Sequence, residues 1–197
     1  MSATKTGQKL QVSPFASVPT LIPSFSEGAF AGRAYKAELV LLRSADGGAR
    51  QHVWFEPDPR IHNHPWEYID CKVVWGRYVA IEYRPNGNGG YVETTLELRA
   101  GDAEHRVSHD THHQVLEVLP GTVSLMTFGP VVGDGKQWGH LVGGKDEGWK
   151  YEANTTPEGF LDALRHLNPH MRPAGWVDPY AALPCYTVQE LMAPLFG

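Results

Sequence analysis

The residues of this chain best suited to chemistry are its ten histidines, of which His62 and His64 are separated by one residue. Chance alone gives about 0.5 such H-x-H pairs at this histidine content, so the spacing by itself says little. The setting says more, because the pair lies in a polar, proline-bounded loop that runs into a β-rich segment. Side chains two residues apart on an extended chain point to the same side, so both imidazoles can bind one ion. We therefore predict that His62 and His64 are metal ligands.

A second group of histidines offers candidates for a third ligand. Its members fall within nine residues: His105, His109, His112 and His113. His113 begins a predicted strand that carries Val115 on the same face, so its side chain can enter a barrel. His105 also lies in a predicted strand, whereas His109 and His112 resemble turn residues.

Short β-rich runs between glycine- and proline-rich turns form the elements that must position these side chains. The predicted strands cover residues 34–43, 51–56, 71–84, 91–99, 103–107, 114–119, 122–128, 138–142 and 149–153. The Asn- and Gly-rich stretch at 85–90 predicts a hairpin loop, because both residue types tolerate positive φ. Many short strands of this kind predict a barrel or a sandwich.

Arg77 is a candidate site residue whose orientation depends on the strand after Gly76. In an extended strand, Arg77 lies on the same face as three residues suited to a core, Val79, Ile81 and Tyr83. If these point inward, Arg77 does too, and a buried guanidinium requires an anionic partner. A bulge at Gly76 would instead turn Arg77 outward.

The chain divides by composition into three parts, which we predict to be an N-terminal arm (residues 1–30), a barrel (31–154) and a helical C-terminal extension packed on the barrel (155–197). Residues 157–167 predict a helix capped by Thr155 or Thr156. The capping-box pattern that begins at Thr187 predicts a second short helix, which ends at Pro194.

Composition narrows the possible partners. A net charge of -5 and a pI near 6.0 give no basic surface for nucleic acid. No apolar run reaches the roughly 20 residues that span a bilayer, and the N-terminus lacks the apolar stretch of a secretory signal. Two cysteines are too few for a disulfide framework. We therefore expect a cytoplasmic protein that binds neither nucleic acid nor membranes.

Residues 50–152 resemble the cupin superfamily (RmlC-like). Its first motif is similar to His62-Asn63-His64 followed by Gly76, and its second to Gly101-Asp102 followed by Asp110-Thr111-His112-His113. This alignment makes His113 the third ligand, with His105 as the alternative. The carboxylate ligand of the family falls on Ile69, while Glu67 and Asp70 lie nearby but out of register. The chain therefore resembles the three-His cupins, among them the thiol (cysteine-dioxygenase-like) dioxygenases that use ferrous iron.

The resemblance implies an all-β jelly-roll barrel, the double-stranded β-helix, with short C-terminal helices. It also implies a divalent metal, most simply Fe(II), with Zn, Ni or Mn as alternatives, and dimerisation is common in the family. Three neutral imidazoles leave the ion its full charge and open positions for a chelating substrate and O₂.

The first hypothesis is therefore a mononuclear non-haem Fe(II) oxygenase (a dioxygenase among others) acting on a small polar molecule. Arg77, Arg106 or Arg60 would pair with a substrate carboxylate, and His105 and Tyr83 are candidates for acid–base work. Four aromatic residues could line the pocket: Trp54, Trp66, Tyr68 and Trp75. The second hypothesis is a redox-neutral isomerase, lyase, dehydratase or decarboxylase. The third is a non-catalytic protein that binds a metal or small molecule.

Overall fold

The computed structural model of the chain describes residues 9–11, 19–44, 46–135, 138–144, 147–153, 157–169 and 185–187. Within these residues the chain forms thirteen strands and one helix, so the all-β prediction is confirmed. The described helix is too short to cross a membrane.

The larger sheet contains eight strands in the order β13-β1-β3-β4-β10-β5-β8, with β2 paired to β3. Its strands are β1 (Lys9–Gln11), β2 (Thr20–Ser26), β3 (Ala29–Ser44), β4 (Gly47–Trp54), β5 (Tyr68–Trp75), β8 (His105–Ser108), β10 (Thr122–Phe128) and β13 (Cys185–Thr187). All the pairs are antiparallel. The long strand β3 joins the N-terminal strands to the sheet by pairing with β2 along its first half and with β4 along its second.

The opposite side of the barrel is built from two smaller sheets. One has the order β7-β6-β9, from β6 (Arg77–Pro85), β7 (Tyr91–Arg99) and β9 (His112–Val118). The other is the hairpin of β11 (Gly139–Gly144) and β12 (Gly148–Ala153). The backbone of His62 bridges both, since it pairs with His113 of β9 and His140 of β11. The loop that carries the H-x-H pair therefore acts as a connecting strand.

Gly76 separates two strands that the sequence suggests as one over residues 71–84. It has a φ of 80°, which glycine adopts without strain, and an added Cβ would lie 2.4 Å from Thr122 Oγ1. After this break, β6 buries Tyr78, Ala80 and Glu82. The prediction that Val79 and Ile81 mark the inward face is therefore wrong, and the outward alternative for Arg77 is the correct one.

The core between the sheets consists of two clusters of side chains. One contains Trp54, Val73, Tyr78, Ala80 and Val115. The other contains Trp66, Ile69, Val107, Met126 and Phe128. The first cluster joins β4 and β5 of the larger sheet to β6 and β9 of a smaller one, so burying its apolar surface favours closing the barrel. The strand residues of the second cluster come from β5, β8 and β10, which are neighbours in the larger sheet.

The described helix α1 (Phe160–Leu167) begins three residues after the predicted start. Its N-cap is Gly159 with a φ of 74° and no side-chain hydrogen bond, so the prediction of a threonine cap is wrong. The helix packs on β2 through Phe25 and Phe160, and Asn168 exchanges hydrogen bonds with the backbone of Leu21. Thr187 ends β13, and the helix predicted after it lies outside the described residues.

Candidate metal centre

Three imidazoles converge at one end of the barrel interior. The Nε2 atoms of His64 and His113 are 2.9 Å apart, and one ring nitrogen from each of His62, His64 and His113 lies within 4.8 Å of the others. Metal–nitrogen bonds near 2.1 Å place neighbouring ligand nitrogens about 3.0–3.4 Å apart. His64 and His113 are therefore already at the spacing of two ligands of one ion, and His62 lies near enough to complete the set after a small shift of its ring.

Hydrogen bonds fix the loop that carries two of these histidines. His62 exchanges backbone hydrogen bonds with His113 at 3.0 and 2.8 Å. Its Nδ1 lies 3.0 Å from the carbonyl of Arg60, so a proton on Nδ1 leaves the Nε2 lone pair for a ligand. The Asn63 side chain donates to the carbonyl of His109 at 3.0 Å and accepts from the amide of Gly139 at 2.8 Å. Asn63 therefore ties the loop to the turn before β9 and to β11.

The imidazoles of His64 and His113 are held in the neutral form. Burial, together with the nearby His62, His113 and Lys36, lowers the pKa of His64 well below its usual value. Burial and the nearby His62 do the same to the pKa of His113. Neutral imidazole is the form that coordinates a metal, so the donor set fits a divalent cation.

No carboxylate accompanies the three rings at the position expected from the cupin motif. Ile69 occupies that position, is 1% exposed and lines the same cavity. Glu67 is exposed, and Asp70 accepts a bidentate pair of hydrogen bonds from Arg106 at 2.7 and 2.6 Å. Both nearby carboxylates are therefore directed elsewhere.

The barrel cavity, as we call the space that the three histidines line, has a volume of about 40 Å³. Glu82 and His105 also line it, and Glu82 Oε1 lies 2.5 Å from His105 Nε2. Burial raises the pKa of Glu82, but hydrogen bonds from His105 and Arg84 outweigh it, so its pKa lies below the usual value. Glu82 is not among the residues predicted for the site, because it faces inward only when Tyr78 and Ala80, rather than Val79 and Ile81, mark the buried face of the strand.

A buried ionic network borders the same cavity on the side of the larger sheet. Lys36 lines the cavity, lies 2.9 Å from Glu38 and sits 5.2 Å above the ring of Trp54. Burial disfavours the charge of Lys36, but Tyr35 and Glu38 raise its pKa above the usual value. Burial and the Lys36 charge lower the pKa of His52 to about 3. This network places one cation, Lys36, in the wall of the cavity that the three imidazoles line, and no pattern in the sequence predicts it.

A second space, the outer cavity, has a volume of about 360 Å³ and shares Asp58 and His62 with the barrel cavity. Its wall is mostly apolar, with Ile22 and Phe25 from β2 and Phe160 from α1. Arg60 and His140 also line it. The size lies within the range of small-molecule sites, and His62 lies between the two spaces.

Several predicted site residues lie elsewhere. Arg77 is exposed and pairs with Glu97 at 2.8 Å, and Arg106 is engaged with Asp70. Tyr83 is buried against Trp149 and does not line the barrel cavity. Tyr68 lies under Arg106, and Trp75 is 57% exposed. Of the predicted aromatic lining, Trp54 borders the barrel cavity, and Trp66 stacks on His64 with ring centroids 5.4 Å apart.

The two segments that carry the cupin-like motifs thus meet inside a barrel of antiparallel strands, one as the loop before β5 and the other as the start of β9. This arrangement is the one that the cupin resemblance implies. No protein-family model matches the chain, and no curated protein matches it in sequence.

Solved structures with some similarity to this chain include KdgF from Halomonas sp., with 17% identity, a TM-score of 0.40, and coverage of 50% of this chain and 82% of that chain. The Streptomyces protein PAC13, solved with uridine, has 10% identity and a TM-score of 0.43 over 62% of this chain and 86% of its own. The Fe(II) form of HppE has 12% identity and a TM-score of 0.41 over 60% of this chain and 59% of its own. Similarity at this level carries no information on the reaction.

Proposed function

We propose that this protein is a metal-dependent cupin enzyme whose mononuclear centre is held by His62, His64 and His113. The observation that carries the proposal is the convergence of three partly buried imidazoles, with Ile69 where a carboxylate ligand would stand. A bound divalent ion would keep its full charge there and supply Lewis acidity and open positions for a substrate and O₂. The proposed reaction class is that of a non-haem Fe(II) oxygenase acting on a small polar molecule.

The residues around the centre support this role in distinct ways. Trp66 packs on His64 and on Phe128, so it holds the ring in place and excludes water from one side. Lys36 lines the barrel cavity and is paired with Glu38 at 2.9 Å, so it provides a buried polar group at this wall without an unpaired charge. Arg60 lines the outer cavity, where it would pair with a carboxylate of the substrate.

A second candidate function, a redox-neutral isomerase, lyase, dehydratase or decarboxylase, is favoured by the contact between Glu82 and His105. The carboxylate of Glu82 contacts Nε2 and orients the imidazole, and a histidine oriented in this way can hold or move a proton at Nδ1. Both groups line the same cavity as the three proposed ligands. Proton transfer to a metal-bound substrate would need no oxidant, and Zn, Ni or Mn would serve as well as iron.

The experiment that separates these functions uses nitric oxide as a probe for O₂ on protein loaded anaerobically with Fe(II). An oxygenase centre should bind nitric oxide and give the electron paramagnetic resonance signal of an iron–nitrosyl species. Turnover of a panel of small carboxylates and hydroxy acids is then compared in air and under nitrogen. Oxygen-dependent turnover supports the oxygenase, whereas turnover that persists under nitrogen contradicts it and supports the redox-neutral function.

A further inference from the structure

Asp58 lies where the barrel cavity and the outer cavity meet. Among the described residues, Asp58 and His62 are the two that line both cavities. Its backbone amide donates to the carbonyl of Val115 at 2.9 Å, and its carbonyl accepts from the Gln114 side chain at 2.8 Å. Because Val115 follows His113 by two residues on β9, Asp58 is held in a fixed relation to the proposed metal ligand.

One oxygen of the Asp58 carboxylate lacks a partner. The residue is 4% exposed, and its Oδ1 makes no hydrogen bond with any described residue. Its Oδ2 accepts a long hydrogen bond, 3.5 Å, from the amide of Val115. A buried acceptor without a donor is unfavourable, and such groups in a cavity commonly mark the place where a ligand completes the bonding.

The outer cavity beside Asp58 is shaped for an apolar group. Five of its lining residues are apolar or aromatic and come from β2, α1 and the segment before β11: Ile22, Pro23, Phe25, Trp138 and Phe160. The barrel cavity on the other side is far smaller, about 40 Å³, which leaves room for about three water-sized groups. A molecule spanning both spaces would keep its body in the outer cavity and insert a small polar head.

We propose that Asp58 is a substrate-binding residue, and that the substrate is an amphipathic small molecule whose hydroxyl or ammonium group donates a hydrogen bond to Asp58 Oδ1. This inference rests on the proposed function, because it places the head of that molecule beside the three histidines. Its apolar body lies against Phe25 and Phe160.

Calorimetric titration with three probes tests the proposal. The probes share a phenylethyl body and differ in the polar group. 2-Phenylethanol and 2-phenylethylamine carry a donor, whereas the methyl ether of 2-phenylethanol offers an acceptor alone. We expect at least one donor probe to bind about tenfold tighter than the ether, a difference typical of one hydrogen bond to a charged group. Preference for the amine identifies an ammonium group, and preference for the alcohol identifies a hydroxyl.

Variants make the assignment specific. Asp58→Asn should weaken the preferred donor probe about tenfold and leave the ether unchanged. Glu97→Gln, which alters an exposed carboxylate that lines neither cavity, should leave all three affinities unchanged. Phe160→Ala should weaken all three probes together. If the Asp58→Asn variant fails to fold, the three affinities of the wild-type protein still test the proposal. Equal affinities for the ether and for the donor probes overturn it.

Metal-loaded and EDTA-treated protein are titrated in parallel, and the metal content of each sample is measured. A donor preference that depends on Asp58 in both forms supports the proposal and excludes simple coordination by the probe. If the wild-type protein binds no metal but keeps this preference, the proposed function fails and the Asp58 assignment stands. If metal binds and the three probes bind alike, the Asp58 assignment fails and the metal centre stands.

Discussion

At the scale of single residues, Glu82 shows how a carboxylate can be buried in this barrel. Its side chain is 1% exposed and is held by His105 and Arg84. The pKa of the folded form lies below the usual value, so the charged group stabilises the fold above the pKa of the unfolded chain. This contribution is lost as the pH falls through the folded-state pKa.

We predict that Glu82→Gln lowers the free energy of unfolding at pH 7, because His105 and Arg84 lose their charged partner. The difference from wild type should shrink below about pH 4, where the unfolded carboxyl group is protonated. Urea unfolding followed by tryptophan fluorescence at several pH values measures this. Glu97→Gln, which alters an exposed carboxylate, should change stability much less than Glu82→Gln does. A Glu82→Gln effect that is constant with pH would contradict the account.

The sequence predicts the positions of some residues of the candidate site and not of others. His62 and His64 are predictable, because the convergence of two side chains at i and i+2 is a local property of extended chain. His113 needs the cupin-like motif, since nothing local places it 2.9 Å from a residue 49 positions earlier. Asp58 and Glu82 could not be identified in advance, because their burial depends on which strands pair across the barrel.

At the scale of elements, the loop with the H-x-H pair owes its shape to side-chain bonding. Asn63 is 5% exposed and connects the turn at His109 to the start of β11. Neither contact touches the proposed ion, but both orient the backbone that carries His62 and His64.

Asn63→Ala should lower metal affinity about 10- to 100-fold, the range typical for losing a group that orients a ligand. The described barrel strands stay paired without this side chain, so far-ultraviolet circular dichroism should remain close to wild type. Competition with a chromophoric chelator measures the affinity. Wild-type affinity in a folded Asn63→Ala variant would show that the loop is held by other contacts.

The break at Gly76 sets which residues of β6 face the barrel. We predict that Gly76→Ala lowers stability by about 1–3 kcal/mol, because the positive φ is strained for alanine and the added Cβ meets Thr122. Gly87→Ala is the matched control: its φ is 77°, but nothing lies within 4 Å of the added Cβ, so its loss should be smaller. Chemical unfolding measures both, and equal losses would contradict the steric part of the argument.

At the scale of the whole molecule, the sequence predicts where many of the strands lie but not how they pair to close the barrel. Alternation and turn residues correctly predict β7 and β10 within their observed bounds, because each signal is contained in the strand itself. The split between β5 and β6 was missed, since a single glycine in a β-rich run is also compatible with a bulge. His62 joins the two smaller sheets by pairing with residues that are far away in the chain, and no local sequence pattern predicts these pairs.

The central claim is that three histidines from two distant segments hold one ion, and metal content measures it most directly. Wild-type protein loaded with Fe(II) or Zn and then desalted should retain about one metal ion per chain by elemental analysis. The single variants His62→Ala, His64→Ala and His113→Ala should each lose it, whereas His105→Ala should retain it. Full retention in the folded His113→Ala variant, or loss confined to His105→Ala, would contradict the proposed centre.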